Sequence, residues 1–192
     1  MVQTKKIRYI IATGAAWLLV WVFTQGIFMS DILTHLPGDL NANYTTATAW
    51  ILAVALVCFV VMSSYRKRIL TRSKLLWLYA IPATLLVFLP SHYSLTLSLL
   101  VYVFMILVTV FWQDYLTFGL LQSHLATKVS ENAAAIITAF LFILGHIVFF
   151  LNDPFDPQFV LIAVAGFIFA FSRRFTGTVY IANVIHLSFY LM

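Results

Sequence analysis

Apolar residues gather along this chain in long blocks broken by short polar stretches. The two-residue alternation of half-buried strands is missing, and so is the narrow apolar stripe of helices on a soluble core. Seven blocks stand out, at about 9–29, 46–65, 75–90, 95–122, 133–152, 159–173 and 176–192. A helix needs about 20 residues to cross a hydrocarbon layer of about 30 Å. Each block therefore predicts a membrane-spanning helix, the third, sixth and seventh being short. Pro82 predicts a kink in the third, and the length of the fourth predicts a bend or an end that emerges from the bilayer. The first is too long for the apolar core of a secretory leader and lacks a small-residue cleavage site. The expected fold class is all-α, a polytopic bundle of about seven transmembrane helices forming a single domain over 1–192.

Composition agrees. Of 192 residues, 63% are hydrophobic and 9% charged, whereas a soluble domain keeps about a quarter of its residues charged. Membrane lipid is thus the expected surrounding partner. The net charge of +5 raises nucleic acid as a partner, and the placement of the charges argues against it. The Lys and Arg residues fall at the N-terminus (Lys5, Lys6, Arg8), between the second and third blocks (Arg66, Lys67, Arg68, Arg72, Lys74), at Lys128, and at Arg173 and Arg174. With seven spans these segments share one side, while the opposite loops carry Asp31, Asp39, Asp153 and Asp156. The positive-inside rule then places the N-terminus in the cytoplasm and the C-terminus across the membrane. The 66–74 run reads as a topological anchor at the anionic leaflet. Trp50, Trp77, Tyr65 and Tyr79, near span ends, read as interfacial anchors. The single cysteine, Cys58, excludes an internal disulfide.

Ionisable groups at membrane depth are costly and mark candidate sites. Asp114 in the fourth block, His146 in the fifth and His186 in the seventh qualify, with Gln113 beside the carboxylate. Asn183 and Tyr190 share the helical face of His186 at i−3 and i+4. Counted along their helices, the three positions fall roughly 15–20 Å from the basic side. One reading is separate interhelical hydrogen bonds. Another is a shared site near the cytoplasmic half, where a carboxylate and an imidazole deprotonate water and a second imidazole donates to an oxyanion. A two-His-one-carboxylate metal set is a third, but no HExxH is present, and neither metal nor other cofactor is expected.

At these residues the chain resembles the CPBP family, the CAAX-protease and bacteriocin-processing intramembrane peptidases. That family carries EExxxR, FxxxH and HxxxN in order. Here Gln113-Asp114-Tyr115-Leu116-Thr117-Phe118 lies at the first motif, Phe142 to His146 completes the second, and Thr176-Gly177-Thr178 leads to His186 at the third. The resemblance covers about 95–192, which would form the conserved core. It implies an endopeptidase hydrolysing a membrane-anchored peptide or protein near the cytoplasmic leaflet, in a bacterial cytoplasmic membrane. Its catalytic set would be Asp114, His146, His186, Gln113 and Tyr190. Asp114 and His146 would activate water, and His186 with Tyr190 would hold the oxyanion. Four positions depart from the family: Gln113 and Asp114 replace the two Glu, Phe118 replaces Arg, and Tyr190 replaces Asn. These departures leave an alternative, a non-catalytic adaptor or bacteriocin-immunity-type protein binding a peptide or lipid in the same cavity.

Overall fold

A computed structural model describes residues 2–147 and 157–192 of the chain. The predicted end of the fifth span past Ile147, and Asp153 and Asp156 of the loop after it, lie outside the described residues. Among those residues the chain is helical, with no strand. Helix α1 (Val2–Val22) is followed by the short turns α2 (Gln25–Met29) and α3 (Ile32–His35). The predicted 9–29 span therefore breaks at Phe23-Thr24. There the Thr24 hydroxyl donates to the Val20 carbonyl at 2.7 Å and accepts from Trp112 Nε1 at 2.9 Å. A hydroxyl that bonds its own preceding turn competes with the helix ladder.

Helix α4 (Leu40–Val61) starts earlier than the predicted 46, because Asp39 caps it by accepting from the Ala42 N–H at 2.9 Å. The short α5 (Ser63–Ile69) carries the basic residues that follow. In the third span, a 3₁₀ segment (Lys74–Tyr79) leads into α6 (Ala80–Phe88). Pro82 has no N–H to return to the preceding turn, so the residues before it wind more tightly.

The fourth span is the axis of the bundle. Helix α7 (Leu99–Asp114) passes into a π segment (Tyr115–Leu121) and then α8 (Gln122–Leu125), 27 residues in all. At about 1.5 Å per residue that is about 40 Å, longer than the hydrocarbon core. From Thr109 to Gln122 every residue except Phe111 is buried, as expected of a helix enclosed on all sides. Around it stand α9 (Glu131–Ile147), α10 (Pro157–Thr176) and α11 (Tyr180–Leu191). Gly177, at φ +73°, donates its N–H to the Arg173 carbonyl at 2.9 Å and turns the chain from α10 into α11. Helix α11 has 12 residues, about 18 Å of rise. Within the predicted 176–192 block it is a shorter apolar helix.

Among the described residues four segments, Leu40–Val61, Lys74–Ser91, Leu99–Leu125 and Pro157–Thr176, are long and apolar enough to span, and α9 and α11 are shorter apolar helices. Trp77 and Leu100 are each 83% exposed, and Val60, Val61, Val87 and Phe175 nearly as much. Such an exterior suits lipid and not water. The chain is a polytopic helical membrane protein.

Side-chain contacts sort the two ends. Tyr9 donates to the His124 carbonyl, the Tyr65 hydroxyl meets His124 Nδ1, Arg173 donates to Ser123, and Tyr180 donates to the Thr71 carbonyl. These contacts gather the basic segments at one end. At the other end, Trp50 bonds the Phe23 carbonyl and Asn41 accepts from the Ser98 N–H.

Candidate functional site

The site is built around two consecutive residues of α7. Neighbours on an α-helix point about 100° apart, so Gln113 and Asp114 serve different partners. Gln113 faces α9, where its Nε2 lies 3.2 Å from His146 Nε2. Asp114 faces α11, where Oδ1 lies 3.0 Å from His186 Nδ1 and Oδ2 accepts from Asn183 Nδ2 at 2.9 Å. The resemblance implied Asp114 acting with His146; the structure couples the carboxylate to His186 and leaves His146 to the carboxamide.

Partner chemistry assigns the protons. His146 Nδ1 lies 2.7 Å from the Phe142 carbonyl, which can only accept, so Nδ1 carries a hydrogen. Nε2 of the neutral ring is then the lone pair that accepts the Gln113 N–H. At His186 the carboxylate can only accept, so Nδ1 carries the hydrogen there too. His186 Nε2 has no hydrogen-bond partner among the described residues, and the ring is the partly exposed member of the pair, at 11% against 0% for Asp114. A carboxylate thus orients one imidazole with its second nitrogen available, while an amide N–H engages the other.

A second tier holds this arrangement. Tyr79 donates to Asn183 Oδ1 at 2.8 Å, fixing the amide so that its N–H side meets Asp114. Tyr79 was expected to be an interfacial anchor, and its hydroxyl is instead part of the buried network. Trp77, on the same segment, points outward and is exposed. Tyr65, bonded to His124, also does more than sit at the interface. Trp21 meets the His146 ring edge-on at 5.4 Å between centroids.

Phe118, at the position where the resembled family has Arg, is fully buried. Its ring lies 5.2 Å from Phe142 and 5.5 Å from Phe169. Phe142 in turn packs against His146 at 4.3 Å, and Phe169 against His186 at 5.5 Å. Three aromatic rings therefore support both imidazoles where a cation would otherwise face a carboxylate. Gly166 makes the cluster possible, since a Cβ there would come within 2.8 Å of Phe142 Cδ1.

Above the imidazoles lies a cavity of about 480 Å³, lined by His146, His186, Tyr190 and Gln158 and by apolar residues drawn mainly from α10 and α11. Tyr190 also anchors the site through its backbone, whose carbonyl accepts from Tyr102 at 2.7 Å. The cavity lies along the part of α10 remote from the basic end, not toward that end as expected. Among the described residues no three His, Cys, Asp or Glu side chains converge as ligands for one ion.

The carboxylate–imidazole pair joins α7 to α11 beneath a largely apolar cavity and makes this the candidate site of the polytopic bundle. The family model of the type II CAAX prenyl endopeptidase Rce1-like proteins matches residues 94–192, a stretch that contains Gln113, Asp114, His146, Asn183, His186 and Tyr190. The chain belongs to this CAAX-protease family. No curated protein and no solved structure matches it.

Proposed function

We propose that this protein is an intramembrane endopeptidase in which His186, oriented by Asp114, is the general base. The observation that carries this reading is the 3.0 Å Asp114–His186 pair at the wall of the cavity, with His186 Nε2 unengaged by any described residue. In the reaction, His186 Nε2 takes a proton from water as its oxygen attacks a peptide carbonyl carbon. The Nδ1–H bond to Asp114 stabilises the imidazolium that forms. Collapse of the tetrahedral intermediate breaks the C–N bond, and the imidazolium returns the proton to the departing amine. One water is consumed, and a carboxylic acid and an amine are released. The Tyr190 hydroxyl, on the same cavity wall, is the candidate donor to the oxyanion. Asn183 and Tyr79 are positioning residues. The substrate is a membrane-associated peptide or protein, and the setting a bacterial cytoplasmic membrane with the basic end inside.

One observation favours a second reading, a non-catalytic relative that binds a peptide or lipid. The Gln113 N–H occupies the His146 lone pair, and the resembled family uses a Glu at that place to activate water with this histidine. Purified protein in nanodiscs, incubated with a library of membrane-anchored peptides and read by mass spectrometry, separates the two. New termini at defined bonds are expected; retention of intact peptides without cleavage would establish the binding role.

A further inference from the structure

The cavity has a direction. Its lining residues on α10 run from Gln158 to Phe169, in the portion nearest Pro157, and on α11 from Ile185 to Tyr190, in the final portion. Phe142 and His146 come from the far end of α9, and Met29 comes from α2. All of these lie away from the end where Arg173, Lys128 and the 66–74 segment gather. Toward that basic end the floor is closed by Phe118, Phe142 and Phe169, all nearly or wholly buried. The rim is different: Leu161, Val164, Ile168, Ile185 and Phe189 are each 43–59% exposed, a lipid-facing edge between α10 and α11.

Building on the endopeptidase reading, we infer that the substrate is an apolar peptide segment lying in the half of the bilayer remote from the basic end. It enters sideways from lipid between α10 and α11. By the positive-inside rule that half is the outer leaflet, so the substrate is a segment that has been inserted across, or has reached, the external half of the membrane. Three features identify this occupant. The wall is apolar and its rim faces lipid, which suits an acyl-depth peptide and not a soluble one. The polar groups of the cavity are few, His146, His186 and Tyr190 with Gln158 at the start of α10, enough to meet a single backbone carbonyl within an otherwise apolar wall. The volume, about 480 Å³, falls in the range of about 300–1,000 Å³ usual for ligand sites, room for a short stretch of side chains and not a whole helix. Phe118 also gains a role: an Arg there would place a charge in the floor, whereas the ring completes the seal.

The test uses two single-spanning peptides of about 20 leucines, each with a Lys-rich flank that fixes its orientation. One carries a benzophenone in its outer half, the other in its inner half, and each is reconstituted with the full-length protein. After irradiation, cross-links are mapped by mass spectrometry, and cleavage is read on the same samples. The outer-half probe should attach at Val164, Ile168 or Ile185 at least tenfold more than the inner-half probe, and Ile168→Trp, which narrows the lipid-exposed rim, should abolish that attachment. Equal attachment, preference for the inner-half probe, or none in the cavity from either would overturn the inference. One-sided cross-linking without cleavage would leave it standing and overturn the endopeptidase reading instead.

Discussion

Asp114→Asn is the most informative single change, because the substituted amide cannot satisfy both neighbours and also leave His186 Nε2 free as a base. The carboxylate accepts from His186 Nδ1 at 3.0 Å and from Asn183 Nδ2 at 2.9 Å, in a fully buried position. An Asn side chain offers one acceptor and one donor. If its oxygen faces His186, its NH₂ opposes that of Asn183. Asn183 can relieve this only by flipping, which forfeits the 2.8 Å bond from Tyr79. If its NH₂ faces His186 instead, that ring must present a lone pair at Nδ1, and its proton moves to Nε2, the nitrogen needed as the base. In the first arrangement one buried bond is lost, costing about 1–3 kcal/mol; in the second both bonds survive, but the base nitrogen is protonated; and in both the imidazolium loses its counter-charge. Loss of a positioned general base lowers kcat by about 10²–10⁴, so a fall in that range is expected on any peptide the protein cleaves. Histidine ¹⁵N NMR of the protein in nanodiscs reads the cause directly: wild type should show His186 protonated at Nδ1, and the variant should show a shifted tautomer or a lowered thermal midpoint. Asp114→Asn with cleavage within twofold of wild type and an unchanged His186 spectrum would refute the reasoning.

Other consequences follow from the same geometry. Tyr79→Phe removes one donor to Asn183 and should cost about 1 kcal/mol of stability, with a several-fold drop in kcat and little change in KM; unchanged kinetics would remove Tyr79 from the positioning network. Gly166→Ala drives a methyl group toward Phe142 and should destabilise by about 1–3 kcal/mol, read as a lower melting temperature in detergent. Gln113→Glu replaces the donor to His146 with an acceptor, so His146 must carry a proton on Nε2; paired with Phe118→Arg it should raise cleavage above wild type if the family's original arrangement can be rebuilt. A reporter fused within 66–74 should read cytoplasmic and one at the C-terminus external; opposite signals would overturn the orientation argued from the basic residues.

Much of this was legible in the sequence because the membrane simplifies the reading. Asp114, His146 and His186 stood out since ionisable groups at such depth are rare, and their positions along each helix set a common level. What depth cannot supply is rotation. In a uniformly apolar helix the hydrophobic pattern has no phase, so nothing told that Gln113 would face α9 and Asp114 α11. The π segment after Asp114 was hidden for the same reason. Tyr79 and Asn183 were visible, but a tyrosine near a span end looks the same whether it anchors at the interface or donates inward. Asn183 was noted only as sharing a face with His186. The cavity's direction depended on Phe118, Phe142 and Phe169 meeting across three helices, a contact that no local pattern announces. Span ends shifted where a side chain intervened, as at Thr24 and Asp39, or where Gly177 turned the chain.

The proposed mechanism moves the base from the histidine at the family's FxxxH motif to His186. Comparing His186→Gln with His146→Gln on one cleaved peptide, under single-turnover conditions in nanodiscs, tests it most directly. The account predicts that His186→Gln lowers the rate by about 10²-fold or more, while His146→Gln stays within about tenfold of wild type, because it removes a partner of Gln113 and not the base. The reverse order, with His146→Gln abolishing cleavage and His186→Gln largely tolerated, would contradict it.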